Sequence, residues 1–186
     1  MSSLALRYEP RLTVDEYLEW EEHQELKYDY CDGVVTVRAA VSQNHELVAV
    51  NFTVALSNHL RGKGCRVYKS DVKLRIRLLN RDLFYYPDVM VGCDPDDTHP
   101  FYIEKPKLIV EVLSADENKD RVEKYFAYQR IPALEEYVIV SQNPEQPEVS
   151  IYRRAEGWEP GETHTKGEFT LKSVGLTLSV GQLYVG

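Results

Sequence analysis

Two apolar runs, each carrying one carboxylate, constrain this chain more than any other feature. Tyr86-Pro87-Asp88-Val89-Met90-Val91 reads as a strand with an acid at its start. Leu108-Ile109-Val110-Glu111-Val112-Leu113-Ser114 reads as a second strand with an acid near its end. A buried carboxylate is costly to ionise unless a cation or a donor meets it. On neighbouring strands, Asp88 and Glu111 would turn two negative charges toward one small space. A divalent cation is the simplest resolution, and hard oxygen donors favour Mg2+ or Mn2+. Thirteen residues beyond Glu111, Lys124 falls in a segment of helical pattern.

The surrounding pattern is that of an α/β chain. Thr13 followed by Glu16 marks the start of a short capped helix. Asp32-Gly33 between strand-like residues of Tyr28 to Val37 marks a hairpin. From Ser42 to Leu60, Val48, Phe52, Leu56 and Leu60 recur every four residues beside Leu47 and Val54, and Gly62 and Gly64 end that helix. Strands are expected at about 65–69, 72–78, 84–91 and 107–113, with a polar, proline-punctuated loop from Gly92 to Pro106. A second helix is expected from Asn118 to Arg130, with Val122, Tyr125 and Phe126 as its apolar contacts, ended by Ile131-Pro132. Strands follow at Glu136–Val140 and Val149–Arg153, then a β-rich tail turning at glycines. The expectation is one domain over residues 1–186, a mixed β-sheet flanked by helices.

Charge sharpens the picture. The net charge of −8 argues against a generic nucleic-acid coat protein. From Arg61 to Arg81, however, eight bases face the single acid Asp71, a local +7 that leaves −15 elsewhere. Lys73, Arg75 and Arg77 alternate with Leu74 and Ile76, so a strand here has one basic and one buried face. That face is either a solvated sheet surface or a stripe that follows nucleic-acid phosphates. Cys31, Cys65 and Cys93 are odd in number and lack zinc spacing, which points to plain thiols in a reducing cytosol. No apolar run reaches membrane-span length, and MSSLALRYEP lacks a signal-peptide core, so a cytoplasmic protein is expected.

Several motifs, taken in order, resemble a known family. They are Tyr28-Asp29-Tyr30-Cys31-Asp32-Gly33, His45 at a helix start, Pro87-Asp88-Val89, Glu111-Val112-Leu113-Ser114, and Asp120, Lys124 and Tyr128 before Glu136-Tyr137. The set resembles the Uma-two family of nucleases, within the PD-(D/E)XK superfamily and its restriction-endonuclease-like fold. The resemblance implies a metal site of Asp88, Glu111 and the backbone carbonyl of Val112. It also implies Mg2+- or Mn2+-dependent cleavage of DNA phosphodiesters, by a homodimer whose two sites address two strands. The superfamily lysine usually sits two residues after the second acid, where this chain has Leu113. Lys124 resembles a relocated lysine, and four-residue spacing sets it on one stripe with Asp120 and Tyr128. Asp29 stands where the family more often has glutamate, as an extra acid near the metal or as a hairpin cap. His45 reads as a base, a phosphate contact or a structural residue of the first helical turn. The rival is a non-catalytic interaction module that keeps the nuclease fold, which the displaced lysine and the acidic net charge favour. The serine-hydrolase alternative has no GxSxG elbow.

Overall fold

The computed structural model describes residues 11–38, 40–113, 119–159 and 161–186, without the side chains of residues 119–121. Local chemistry sets the first elements. Thr13 caps α1 (Val14–Glu21) through a capping box: its hydroxyl accepts from the Glu16 N–H, and the Glu16 carboxylate accepts from the Thr13 N–H at 2.7 Å. Asp32 and Gly33, with φ of 48° and 90°, form the two-residue turn between β1 (Tyr28–Cys31) and β2 (Val34–Val37). Two positive φ values match the right-handed strand twist, and a Cβ at residue 33 would lie 2.7 Å from Cβ of Arg11. The Ser42 hydroxyl accepts from the His45 N–H and caps α2 (Gln43–Leu60), which buries Val48, Ala49, Phe52, Leu56 and Leu60.

The remaining strands are β3 (Arg66–Lys69), β4 (Lys73–Leu78), β5 (Arg81–Tyr85), β6 (Val89–Gly92), β7 (Tyr102–Ile103), β8 (Pro106–Val112), β9 (Glu136–Val140), β10 (Val149–Arg153), β11 (Glu162–His164), β12 (Glu168–Leu171) and β13 (Leu176–Ser179). Among the described residues they form a six-stranded sheet in the order β11-β10-β9-β8-β6-β3, a five-stranded sheet β2-β1-β5-β4-β7, and the pair β12-β13. The larger sheet is mixed: β8 and β9 run parallel while its other neighbours are antiparallel. Its central strands β6, β8 and β9 are buried on both faces. Val89, Val91, Leu108, Val110, Val138 and Val140 pack with α2. The alternate residues Met90, Ile109, Tyr137 and Ile139 pack with Leu74, Ile76, Leu83 and Tyr85 of the smaller sheet and with Tyr125 and Tyr128 of α3 (Tyr125–Tyr128). Helix α1 adds a separate aromatic cluster, Tyr17 against Tyr30, Phe84 and Tyr102.

Three expectations are corrected. The strand expected over 84–91 is two strands in different sheets, broken at Tyr86-Pro87-Asp88, because Pro87 has no N–H to continue a ladder. Asp88 therefore sits in the crossing between sheets. The second helix begins as a π-helical segment, Lys119–Lys124, and becomes α-helical only for α3; the expected start at Asn118 lies outside the described residues, as does Ser114. That winding turns Val122 and Phe126 outward, with Tyr125, Ala127 and Tyr128 inward. Finally, Cys65 and Cys93 flank the β3–β6 pair and are joined in a disulfide, which does not involve Cys31. The cysteines thus no longer argue for a reducing compartment. No helix among the described residues is long and apolar enough to cross a membrane.

Candidate active site

Strand register brings the two acids together. Met90 pairs with Ile109 and Val89 with Val110 in the β6–β8 ladder. One step further, the register sets Asp88 against Glu111, both on the face shared by Met90 and Ile109. The Val112 N–H donates to Asp88 Oδ2 at 2.9 Å. Both acids are almost fully buried, at 3% and 1% exposed.

Each acid is met by cations and donors from other elements. On Glu111, Oε1 takes the Lys124 ammonium at 2.9 Å and the Tyr128 hydroxyl at 2.6 Å. Lys124 and Tyr128 thus share one stripe, as their spacing predicts, while the side chain of Asp120 lies outside the described residues. Position N3 of α2 aims His45 Nε2 at Asp88 Oδ2, 3.1 Å away. From the end of β2, Arg38 Nη2 approaches Asp88 Oδ1 at 3.4 Å. Asp29 lies on β1 with its side chain buried. Across from it is Thr36, and Arg38 follows two residues later on the same sheet face.

Electrostatics reflect this crowding. Burial would raise the Asp88 pKa, but the His45 hydrogen bond and charge, the Lys124 charge and the Val112 N–H outweigh it and hold the group below its ordinary value. For His45, burial works against the charged ring. The Asp88 hydrogen bond and charge, the Glu111 charge and the Val112 carbonyl prevail, and its pKa is raised. Tyr128 is pushed well up by burial and by Glu111, so it remains a hydrogen-bond donor.

The donor set suits a hard divalent cation. Among the described residues, three buried acids, Asp29, Asp88 and Glu111, lie with the basic side chains of Arg38 and Lys124. His45 Nδ1 is buried without a hydrogen-bond partner among the described residues. No three His, Cys, Asp or Glu side chains among the described residues cage a metal by themselves. A cation held by Asp88, Glu111 and the Val112 carbonyl would keep positions for water and substrate, the habit of Mg2+.

The basic stripe expected of Lys73, Arg75 and Arg77 is largely engaged within the protein. The three do share one face of β4, with Leu74 and Ile76 on the other, but α1 and neighbouring acids cover Lys73 and Arg75. Lys73 is buried against Glu21 at 2.7 Å, 5.6 Å from the Tyr86 ring centre. Arg75 bonds Asp82 at 2.9 Å and the Tyr102 hydroxyl at 3.0 Å, over the Phe84 ring. Arg77, more exposed, pairs with Glu104. Sequence motifs assigned no role to Arg38; the signal available was an arginine ending a strand two residues after Thr36, on the face of Asp29.

Comparison with known proteins finds similar chains. Residues 14–181 match the Uma2 family, described as "Putative restriction endonuclease". The uncharacterized protein slr1290 of Synechocystis sp. is 35% identical over 181 residues, covering 95% of this chain and 93% of its own. A second uncharacterized Synechocystis protein, sll1609, is 31% identical over 135 residues, or 70% of this chain and 75% of that one. The fold is shared with a crystal structure described as a "putative nuclease belonging to DUF820" from Anabaena variabilis: the TM-score is 0.71 at 16% identity, over 93% of this chain and 97% of that one.

Proposed function

Since this chain belongs to the Uma2 family, we propose that it is an endonuclease that hydrolyses DNA phosphodiester bonds with a divalent cation, Mg2+ or Mn2+. The observation that carries this reading is the convergence of Asp88, Glu111 and Lys124 in one buried cluster. Asp88, Glu111 and the Val112 carbonyl would hold the cation. When bound, such an ion polarises the phosphoryl oxygen and acidifies an attacking water. Lys124 stabilises the charge that builds on the phosphate. Tyr128 fixes Glu111 from a second direction, while His45 and the Val112 N–H fix Asp88. His45 acts here as a positioning residue rather than as the base, since Nε2 is committed to Asp88. Asp29 supplies a third acid beside the site.

Substrate would approach along an open groove of about 450 Å³ that reaches Asp29, where Arg81 and Arg11, the latter paired with Asp32 at 3.2 Å, line it together with Glu123. A neighbouring groove shares Arg81 and adds Arg77 and Arg130 with the exposed Phe126. Replacing Arg75 and Arg77 together by Gln should leave the salt slope of duplex binding within about one phosphate contact of wild type. Fluorescence anisotropy across a salt series reads that slope; a loss of two contacts would return the stripe to the interface. A homodimer acting in the cytoplasm, one site per strand, completes the reading.

The rival, a non-catalytic module, is favoured by the fact that internal cations already meet both acids. Supercoiled plasmid incubated with the purified protein separates the two. The nuclease reading expects nicking with Mg2+ or Mn2+ that EDTA stops. Intact plasmid and single strands, with no cation binding by calorimetry, would establish the rival.

A further inference from the structure

Arg38 holds its place by backbone geometry rather than by a tight ion pair. Its N–H donates to the Lys27 carbonyl at 3.0 Å, extending the β1–β2 ladder by one step. This aims the side chain over the face that carries Asp29. The guanidinium carbon lies 5.7 Å from the Tyr86 ring centre, and Nη2 lies 3.4 Å from Asp88 Oδ1. Charge-assisted pairs usually close to about 2.7–2.9 Å, as Lys124 does with Glu111 and Arg153 with Glu136. Arg38 instead sits among several acids, and Glu111, Asp88 and Asp29 all favour its charge. Its side chain is 21% exposed against 4% for Asp88, so it stands on the solvent side of that acid.

A guanidinium fork matches a carboxylate and a phosphate equally well. A divalent cation between Asp88 and Glu111 would compete with Arg38 for the same oxygens and repel it at short range. A phosphodiester arriving with the cation would bring the negative charge that Arg38 then lacks. We propose that Arg38 is an exchangeable counter-ion: it pairs with the acid cluster in the metal-free protein and with a substrate phosphate once a divalent cation takes its place. This rests on the nuclease reading above.

Two binding measurements on Arg38→Gln and Arg38→Lys test it without reference to turnover. Calorimetry with Mn2+ should give about tenfold or more tighter binding for Arg38→Gln than for wild type, with Arg38→Lys close to wild type. Anisotropy of a labelled DNA duplex in Ca2+ should show about tenfold weaker binding for Arg38→Gln, partly rescued in Arg38→Lys, which keeps the charge but not the fork. The Lys variant keeps the charge, so it guards against a folding defect in the neutral one. Equal Mn2+ affinity in all three proteins, or undiminished DNA affinity in Arg38→Gln, overturns the exchange while leaving the nuclease reading standing. Failure of all three to bind Mn2+ overturns both.

Discussion

Asp88→Asn is expected to abolish cation-dependent cleavage and at the same time to destabilise the metal-free protein. The first effect follows if Asp88 holds the cation: losing several kcal/mol of transition-state stabilisation lowers turnover by roughly a thousandfold or more. The second effect comes from the folded chain itself. An isolated buried acid would be better replaced by a neutral group, but Asp88 is not isolated. His45 at 3.1 Å, Arg38 at 3.4 Å and the Val112 N–H at 2.9 Å are arranged around it. Removing the charge strands buried cations, which typically costs about 3–5 kcal/mol. The sign is set by linkage. Because the native pKa of Asp88 lies below its ordinary value of 3.8, its stabilisation is present above that pH and lost as pH falls through the native value. Denaturant melts of both proteins should therefore differ at neutral pH and converge in strong acid. A mutant as stable as wild type at pH 7 would contradict the ion-pair account, and one with undiminished cleavage would remove Asp88 from the site.

Lys124→Met is expected to separate chemistry from binding. If Lys124 acts on charge that develops in the transition state, kcat should fall by about 10²–10³-fold with little change in substrate affinity. Mn2+ binding should not weaken, because a positive charge 2.9 Å from Glu111 has been removed. Methionine keeps most of the buried stem volume, and Tyr128 still donates to Glu111, so the fold should survive. Single-turnover kinetics with calorimetry read the split. Equal turnover in mutant and wild type would make Lys124 a structural counter-ion and withdraw the relocated-lysine argument.

Those elements that depend on neighbours in sequence were legible without coordinates. The Thr13 cap, the Asp32-Gly33 turn, the buried stripe of α2 and the limits of β9 and β10 all fall where local patterns put them. Asp88 and Glu111 stood out as acids in apolar strands, whereas Lys124 and His45 were singled out by the family resemblance; the fold brings all four together. Long-range contacts were less legible. Alternation in β4 correctly separated Lys73, Arg75 and Arg77 from Leu74 and Ile76, but not that α1 and Glu104 would consume the basic face. Periodicity assigned Val122 and Phe126 to the core, whereas a π-helical start rotates them to solvent.

The sequence alone determined that this chain must solve the problem of two acids in apolar strands, while Lys124 and His45 stood out only through the family resemblance. Backbone periodicity and desolvation cost act locally, so they can be read along the chain. Tertiary structure decided how Pro87 divides two sheets, which cysteines join, and that Arg38 reaches Asp88 across fifty positions. Those outcomes depend on which surfaces meet, and no spacing rule carries that information.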